Sequence, residues 1–303
     1  MANIAITGGS GLLAVNWALL RREIDNIFLL LNKREIFING TKTLKTNLSS
    51  LEDIVSFIKT YKIDLIIHTA GITNIEECQK NIPVAKFTNI QLSKNLAEAT
   101  KICKVKMVHI SSDHLFDGTS SFYSEEDNLN PLNVYAQTKA KAENEVLQID
   151  NSALIIRTNF FGCGPSYRRS FSDFIIDSLS SNTKIELFND VFFSPIFIPN
   201  LVEIIHKLIA TSASGIFHVV GNDRLSKYEF GIRLSEKFNL DSSLIMPLSI
   251  KQRKGLVVRP LDMSLSNKKC TSYINSEIVG LDKFFDAYKS DLYTHFCEEI
   301  NKI

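Results

Sequence analysis

The sequence predicts an α/β protein with a doubly wound parallel sheet and a smaller C-terminal lobe. Two observations carry this prediction: strand and helix patterns alternate through the first 160 residues, and several strand segments are continuously apolar. Apolar runs such as 27–31 and 65–67 are typical of strands that helices cover on both faces. Repeated strand–helix–strand units of this kind form parallel sheets with right-handed crossovers.

The individual elements follow from these patterns in chain order. In the first half we predict strands at 3–6, 27–31, 65–67, 106–110 and 153–157 and helices at 12–22, 51–61, 84–101 and 135–148. After residue 160 we predict helices at 170–180, 199–209 and 226–238 and strands at 185–188 and 216–220. Ser226 and Glu229 have the spacing of a capping box at the start of the last of these helices.

The composition is typical of a globular protein that does not bind a strongly charged partner. It has 303 residues, of which 45% are hydrophobic, and its 34 basic and 33 acidic residues give a net charge of +1. This balance argues against a dedicated nucleic-acid or membrane-surface protein. No apolar run approaches the ~20 residues that span a bilayer, and the start lacks a signal-peptide pattern. We therefore expect a cytoplasmic protein with no nucleic-acid or membrane partner.

The cysteines predict neither a disulfide framework nor a metal site. Cys78, Cys103, Cys163, Cys270 and Cys297 are scattered, odd in number and form no Cys-x-x-Cys pair. This pattern is typical of reduced thiols in an intracellular protein. No group of His, Cys, Asp and Glu has the spacing of metal ligands.

A glycine-rich loop near the N-terminus predicts a phosphate-binding turn. Thr7-Gly-Gly-Ser-Gly11 follows the first strand and opens the first helix. Glycines in such a turn let the backbone approach a pyrophosphate, and the helix N-terminus offers free N–H groups and the positive end of its dipole. An ordinary strand–helix turn is the alternative, because short glycine motifs also occur by chance.

The end of the second predicted strand bears on the choice of cofactor. Asn32, Lys33 and Arg34 stand where an NAD-specific site usually has Asp or Glu for the ribose hydroxyls. Basic side chains favour the additional phosphate of NADP, so we predict NADP(H) as the preferred cofactor and NAD(H) as the alternative. A solvated basic loop would explain these residues without a ligand. The predicted organisation is an NAD(P)-binding Rossmann domain over 1–160 and a mainly substrate-binding lobe over 161–303, with about 194–220 returning to the Rossmann domain.

A tyrosine and a lysine four residues apart predict acid–base chemistry on a carbonyl or alcohol oxygen. Tyr135 and Lys139 lie on one face of the helix predicted at 135–148. A nearby ammonium lowers the pKa of a phenol, and such a phenol exchanges protons with a substrate oxygen. Ser112 follows the strand at 106–110, at the sheet edge where open α/β proteins bind ligands. Its hydroxyl is placed to bond the same substrate oxygen.

With these residues in this order and spacing, the chain resembles the extended short-chain dehydrogenase/reductases. Two segments narrow the resemblance to the dTDP-4-dehydrorhamnose reductases: Ile110-Ser-Ser-Asp-His-Leu-Phe-Asp-Gly118 and Pro131-Leu-Asn-Val-Tyr-Ala-Gln-Thr-Lys139. Further landmarks of that family have counterparts at 156–158, 194–195, 215–218, 228–230 and 259–260. The resemblance covers about residues 3–270.

The resemblance implies an NADPH-dependent reduction of a nucleotide-activated 4-keto-6-deoxy sugar. Tyr135 would protonate the keto oxygen, Lys139 would lower the pKa of Tyr135 and hold the nicotinamide ribose, and Ser112 would take the place of the family's active-site Thr or Ser. The predicted cofactor residues are Gly8, Ser10, Gly11, Leu12, Asn32, Lys33, Arg34, Ala70, Gly71, Tyr135 and Lys139. The predicted substrate residues are Ser112, Asp113, His114, Asn159, Arg168 and Arg259, of which Arg259 would bind a nucleotide diphosphate.

Departures from the family pattern leave alternatives open. His114 replaces the tyrosine that usually follows the aspartate, Asn47 replaces an acid near the adenine pocket, and the 160–171 segment is longer and more basic than expected. Within it, Tyr167-Arg-Arg169 predicts either a phosphate clamp or a solvated loop. The resemblance also takes in the regulatory beta subunit of methionine adenosyltransferase, a non-catalytic NADP-binding protein. Epimerases and dehydratases that use the same core are a third alternative. The sequence does not give the oligomeric state, for which a homodimer is the commonest default.

The remaining histidines have structural explanations. His218 sits in an apolar strand and is predicted to be a buried structural residue. His206 and His295 are predicted to lie on helix surfaces. Asn89 is implied by the resemblance to support the core beside the loop that follows the strand at 65–67.

Overall fold

A computed structural model describes all residues from 1 to 303 and contains thirteen strands and twelve α-helices. The strands are β1 (Asn3–Thr7), β2 (Asn26–Leu31), β3 (Thr41–Lys45), β4 (Leu65–His68), β5 (Lys106–Ile110), β6 (Leu154–Arg157), β7 (Phe160–Phe161), β8 (Ile185–Phe188), β9 (Phe192–Phe193), β10 (Ile196–Phe197), β11 (Gly215–His218), β12 (Leu225–Ser226) and β13 (Ile245–Leu248). The helices are α1 (Leu12–Arg21), α2 (Leu51–Thr60), α3 (Ile75–Lys80), α4 (Ile82–Lys86), α5 (Leu92–Cys103), α6 (Val134–Ile149), α7 (Phe171–Ser180), α8 (Ile198–Ala210), α9 (Lys227–Phe238), α10 (Lys268–Ile274), α11 (Leu281–Tyr288) and α12 (Asp291–Asn301). None of these helices has the length and apolar character needed to cross a membrane.

Seven strands form one parallel sheet, in the order β11-β6-β5-β4-β1-β2-β3. The prediction of a doubly wound α/β sheet is therefore confirmed. The helices α2, α5 and α6 pack on one face of the sheet, while α1, α8 and the C-terminal helices pack on the other. The chain proceeds outward in both directions from β1 and β4, so a crevice opens at the carboxyl ends of these two strands.

The predicted elements are present, although a π-helical turn at Phe87–Gln91 interrupts the helix predicted at 84–101. The elements that were not predicted include α3, β13 and the two-residue strands β7, β9, β10 and β12. The sequence patterns gave no indication of β3, because its side chains are half-buried or exposed and carry no apolar run. The C-terminal helices α10 to α12 were also not predicted. Strand β11 pairs with β6 in the main sheet. The domain boundary at residue 160 stays a prediction, since one apolar core contains residues from both sides of it.

The expectation of five free thiols is wrong. Cys163 and Cys297 form a disulfide whose Cα atoms lie 5.6 Å apart, across 134 residues of sequence. Cys78, Cys103 and Cys270 are free. The pair was not predicted because scattered single cysteines carry no local signal, and only the packing of α12 brings Cys297 to the 160–171 segment. Since two of the five cysteines are oxidised, the cysteines do not support the expected cytoplasmic location.

The histidine predictions are confirmed in two cases and wrong in one. His218 is buried and hydrogen-bonded, and the side chain of His295 is 80% exposed. His206 is not a surface residue, because its Nε2 accepts a 3.1 Å hydrogen bond from the indole of Trp17 in α1. Burial lowers the pKa of His206 to about 4. The contact crosses between α1 and α8, which the pattern of either helix alone does not reveal.

Candidate active site

The glycine loop forms a cradle in which a side chain would collide with the backbone opposite. Gly8 has a φ of +65°, and a Cβ at this position would lie 2.9 Å from the Cα of Ala70. Gly11 is the N-cap of α1 and makes no side-chain cap hydrogen bond. The first N–H groups of α1 thus have no side-chain cap, and they lie at the positive end of the helix dipole. Such a loop can hold a phosphate or a pyrophosphate.

The loop is one wall of a cleft of about 370 Å³ at the carboxyl edge of the sheet. The other walls are the segments that follow β4, β5 and β6, the buried face of α6 and part of the 160–171 segment. Thirteen of the residues predicted to bind cofactor or substrate line this cleft: Gly8, Ser10, Gly11, Leu12, Ala70, Gly71, Ser112, Asp113, His114, Tyr135, Lys139, Asn159 and Arg168. The fold thus brings together side chains that are up to 160 positions apart in the sequence.

Four predicted residues do not line the cleft. Asn32, Lys33 and Arg34 are exposed after β2. The Arg34 guanidinium lies 4.1 Å from the ring centroid of Tyr167, whose hydroxyl donates a 3.0 Å hydrogen bond to the Ser10 carbonyl of the glycine loop. Arg34 is therefore linked to the loop through one aromatic ring. The fourth residue, Arg259, lies in a neighbouring groove.

A buried network of polar side chains around β4 stabilises the wall of the cleft that faces the glycine loop. His68 Nδ1 lies 2.7 Å from Thr7 Oγ1, and His68 Nε2 lies 2.9 Å from Ser93 Oγ. Burial lowers the pKa of His68 to about 3, so that its imidazole is neutral at ordinary pH. The Asn89 side chain accepts a 2.8 Å hydrogen bond from the Ile72 N–H and donates a 3.1 Å bond to the Ile72 carbonyl. These contacts fix the loop after β4 that faces Gly8.

Tyr135 and Lys139 lie one turn apart on the buried face of α6. The Lys139 ammonium donates a 2.7 Å hydrogen bond to the carbonyl of Ile110 at the end of β5. Burial lowers the pKa of Lys139 to about 8, against the opposing effect of Glu143. Burial raises the pKa of Tyr135, and the neighbouring Ser112 hydroxyl opposes this only in part. The expectation of a lowered phenol pKa is therefore wrong for the chain alone, because burial dominates at Tyr135 while Ile110 holds the ammonium.

The segment after β5 holds a hydrogen-bonded Asp–His pair. Asp113 is 2% exposed; its Oδ1 lies 2.8 Å from His114 Nδ1, and its Oδ2 accepts a 2.6 Å hydrogen bond from Asn159. The Ser112 hydroxyl is held loosely, at 3.3 Å from Asp113 Oδ1 and 3.4 Å from His114 Nδ1. Burial alone would raise the pKa of Asp113, but His114, Lys227 and Asn159 hold it below its ordinary value. Asp113 is thus a carboxylate that orients His114.

A second groove, of about 430 Å³, meets the cleft at His114. Its apolar lining comprises Phe171, Phe174, Leu187, Phe188, Val191 and Met263. The charged residues are Glu186, Lys227 and Arg259, and Arg259 is ion-paired with Glu76. The Lys227 ammonium lies 3.1 Å from the centroid of the Phe193 ring and forms no ion pair or side-chain hydrogen bond in the chain. The groove suits a ligand that combines a flat or apolar part with negative charge.

Sequence reasoning missed Lys227 and the aromatic residues of this groove. Lys227 follows the capping serine of α9, and the sequence around it indicates only the start of a helix. Its proximity to Phe193 and Asp113 depends on tertiary packing. In the 160–171 segment the two arginines differ: Arg168 lines the cleft, whereas Arg169 is ion-paired with Asp177. The phosphate-clamp alternative is thus open only to Arg168.

Comparison with curated proteins identifies relatives along most of the chain. Residues 2–282 match the RmlD substrate binding domain. A probable low-salt glycan biosynthesis reductase of Haloferax volcanii is 26% identical over 259 residues, which are 81% of this chain and 86% of the relative. The methionine adenosyltransferase 2 subunit beta of Xenopus tropicalis is 27% identical over 241 residues, which are 74% of this chain and 69% of the relative.

Solved structures share the fold over nearly the whole length. The crystal structure of a hypothetical dTDP-4-dehydrorhamnose reductase from Sulfolobus tokodaii is 29% identical, with a TM-score of 0.81 over 94% of this chain and 98% of that chain. A dTDP-4-dehydrorhamnose reductase from Bacillus anthracis in complex with NADP is 23% identical, with a TM-score of 0.81 over 95% of this chain and 99% of that chain. Since the family match extends over residues 2–282, the chain belongs to the RmlD substrate binding domain family.

Proposed function

We propose that the protein reduces a nucleotide-activated 4-keto-6-deoxy sugar with NADPH. The observation that carries this proposal is the meeting of Ser112, Tyr135 and Lys139 in one cleft with the glycine loop. A hydroxyl and a phenol beside a dinucleotide-binding loop suit hydride chemistry on a carbonyl, which needs a proton donor for its oxygen. The family membership and the likeness to the reductase from Sulfolobus tokodaii support the same activity.

The glycine cradle fits a dinucleotide cofactor. A Cβ at Gly8 would occupy the space against Ala70, and the uncapped start of α1 offers N–H groups to a pyrophosphate. Gly8, Ser10, Gly11 and Leu12 would hold that pyrophosphate, while Ala70 and Gly71 line the same cleft beside it. When bound, the reduced nicotinamide supplies a hydride to the keto carbon.

The basic segment after β2 supports a preference for NADP(H). Lys33 and Arg34 are exposed, and the residue before them is Asn32 rather than an acidic residue. The nearest acid in sequence, Glu35, is ion-paired with Lys45. Arg34 therefore offers an uncompensated guanidinium beside the glycine loop, as a 2′-phosphate requires. Two proteins of similar fold differ in their bound cofactor: the reductase from Bacillus anthracis contains NADP, and a dTDP-glucose 4,6-dehydratase from Streptomyces venezuelae contains NAD. NAD(H) is therefore the alternative.

Tyr135 would deliver the proton to the keto oxygen. Because burial raises its pKa, the phenol stays protonated at neutral pH, which is the state that a donor needs. The loosely held Ser112 hydroxyl can turn to donate a hydrogen bond to the same oxygen. Lys139, fixed by Ile110 one turn from the tyrosine, would bind the nicotinamide ribose.

The groove beyond His114 would hold the nucleotide part of the substrate. Lys227 and Arg259 bring positive charge for a diphosphate, and Phe171 and Phe174 offer ring faces for a base. Arg168 lines the cleft but not the groove, and it would contact the substrate where the two spaces meet. A nucleotide sugar is therefore the proposed small-molecule partner. The absence of a nucleic-acid partner and the cytoplasmic location remain predictions, and a homodimer remains the default assembly.

A direct test separates binding from turnover. NADPH and NADH binding is measured by calorimetry, and NADPH oxidation is then followed by absorbance with a panel of nucleotide 4-keto sugars. Tight NADPH binding with oxidation by at least one panel member is the expected result. Tyr273→Phe serves as the matched control for tyrosine variants, since Tyr273 lies exposed in α10 and bonds only the Thr211 carbonyl.

A second candidate is a non-catalytic regulatory subunit that binds NADP. The observation that favours it is the 27% identity to the methionine adenosyltransferase 2 subunit beta of Xenopus tropicalis. Binding of NADPH without oxidation by any panel member, together with stable association with a partner enzyme, would establish it in place of the reductase. The presence of Tyr135, Lys139 and Ser112 argues against it, because binding alone needs no proton donor. A nucleotide-sugar epimerase or dehydratase is favoured only if bound cofactor is not consumed.

A further inference from the structure

His114 and Asp113 are arranged as a general base and its orienting group, and the proposed reduction makes no use of this arrangement. The 2.8 Å contact between His114 Nδ1 and the Asp113 carboxylate assigns a proton to Nδ1. In the neutral ring the lone pair is therefore on Nε2. A nitrogen base whose other ring nitrogen is held by a carboxylate is a recurrent arrangement in acid–base catalysis.

The pair is rigid and faces the ligand space. Asp113 is 2% exposed, and Asn159 holds its second carboxylate oxygen at 2.6 Å. The Lys227 ammonium adds positive charge near the same carboxylate. His114 Nε2 forms no hydrogen bond within the chain, while the His114 side chain is 18% exposed and lines both the cleft and the groove. An oriented base with an unused lone pair thus borders the space proposed for the sugar.

The position of His114 relative to the proton donor sets which substrate atom it can reach. Its ring packs edge-on against Tyr135, with centroids 5.6 Å apart, and Ser112 Oγ lies 3.4 Å from His114 Nδ1. A carbonyl oxygen that Tyr135 and Ser112 hold together places the carbonyl carbon in front of them. The carbon atoms on either side of that carbonyl are one bond further from the two hydroxyls, in the cavity that His114 also lines.

We infer that this chain also enolises its keto sugar at a carbon next to the carbonyl, with His114 as the base. The inference rests on the proposed function, since it needs a keto sugar in the cleft. His114 Nε2 takes the proton, and the electron pair of the broken C–H bond forms a carbon–carbon double bond. The carbonyl oxygen receives the negative charge and is stabilised by hydrogen bonds from Ser112 and Tyr135. Return of a proton to carbon restores the ketone, so no oxidant, reductant or cofactor is consumed.

Deuterium exchange measures this step without hydride transfer. The probe is dTDP-4-keto-6-deoxyglucose, incubated with the protein in D₂O without NADPH and followed by NMR at carbons 3 and 5 and by mass spectrometry. We expect deuterium at one of these carbons at a rate well above that in buffer. His114→Gln, which keeps a polar side chain but removes the base, should lower the exchange rate about 10²-fold or more. His295→Gln, at an exposed position of α12, should keep the wild-type rate.

The outcomes separate this inference from the proposed function. Reduction of the probe by NADPH with no deuterium incorporation would overturn enolisation alone, and so would exchange that survives His114→Gln. Exchange without reduction would support enolisation and contradict the reductase. If neither occurs with any keto sugar in the panel, both proposals are refuted. NADPH binding verifies that the variant is folded; if His114→Gln fails this check, His114→Tyr replaces it and should also lose exchange.

Discussion

Two walls of the cleft are stabilised in different ways. The first wall consists of the segments that follow β1, β4 and β5. These three strands are neighbours in the sheet, and the hydrogen bonds between them hold the starts of the three segments in place. The 160–171 segment instead depends on distant parts of the chain. Cys163 is bonded to Cys297, 134 positions away, and Tyr167 bonds the carbonyl of Ser10, 157 positions away. Substitutions in the first wall should therefore act on chemistry, whereas substitutions around the second should act first on stability.

The largest effect is expected from Tyr135→Phe in the first wall. Loss of the proton donor should lower the turnover of keto-sugar reduction by about 10²–10⁴-fold. NADPH affinity and the melting temperature should change little, because the phenol hydroxyl stabilises no strand or helix and faces the cleft beside Ser112. Steady-state kinetics and calorimetry measure both quantities. Turnover equal to that of the Tyr273→Phe control would refute the role of Tyr135.

Breaking the disulfide should affect stability most strongly. Cys297→Ser should lower the free energy of unfolding by about 2–5 kcal/mol, because a cross-link over a long loop restricts the unfolded chain. Thermal unfolding of the oxidised protein measures this effect, and Cys103→Ser, which removes a free thiol, is the matched control. If the two variants melt together, the covalent bond does not hold α12 to the 160–171 segment.

The same contrast explains which features the sequence could predict. Apolar runs identify β2 and β4, and the spacing of Tyr135 and Lys139 places both on one helix face, because these signals are contained in a few consecutive residues. The Ser226–Glu229 capping box is likewise local, and both of its hydrogen bonds are present. A disulfide between single cysteines and the packing of Lys227 on Phe193 arise only when distant segments meet. Burial, which also decides the pKa of Tyr135, is a property of the folded chain.

Buried neutral histidines predict a loss of stability in acid. Burial lowers the pKa of His68 and of His218 to about 3 and that of His206 to about 4, all from an ordinary value of 6.5. Below pH 6.5 the unfolded chain therefore binds protons that the folded chain does not. This stabilisation is complete above pH 6.5 and is lost as the pH falls toward 4, by up to about 1.4 kcal/mol per pH unit for each histidine.

Denaturant unfolding between pH 5 and 6.5 measures this slope. His206→Gln should make the slope shallower by the share of one histidine, since glutamine can still accept the hydrogen bond from Trp17. His295→Gln should leave the slope as it is, because that side chain is exposed in the folded state. A slope that His206→Gln does not change would mean that His206 titrates alike in the folded and unfolded chains.

Arg34 tests the basic segment after β2, whose guanidinium packs on Tyr167 of the second wall, and the expected effect is the smallest. Arg34→Ala should weaken NADPH binding by about five- to tenfold at low salt and by less at high salt, since the guanidinium is exposed and its attraction to a phosphate is screened. NADH binding should stay the same, and so should both affinities in the Arg233→Ala control in α9. Equal weakening of NADPH and NADH would contradict recognition of the 2′-phosphate. In that case Arg34 would act only by holding Tyr167 against the glycine loop, and the preference for NADP(H) would have to come from another residue.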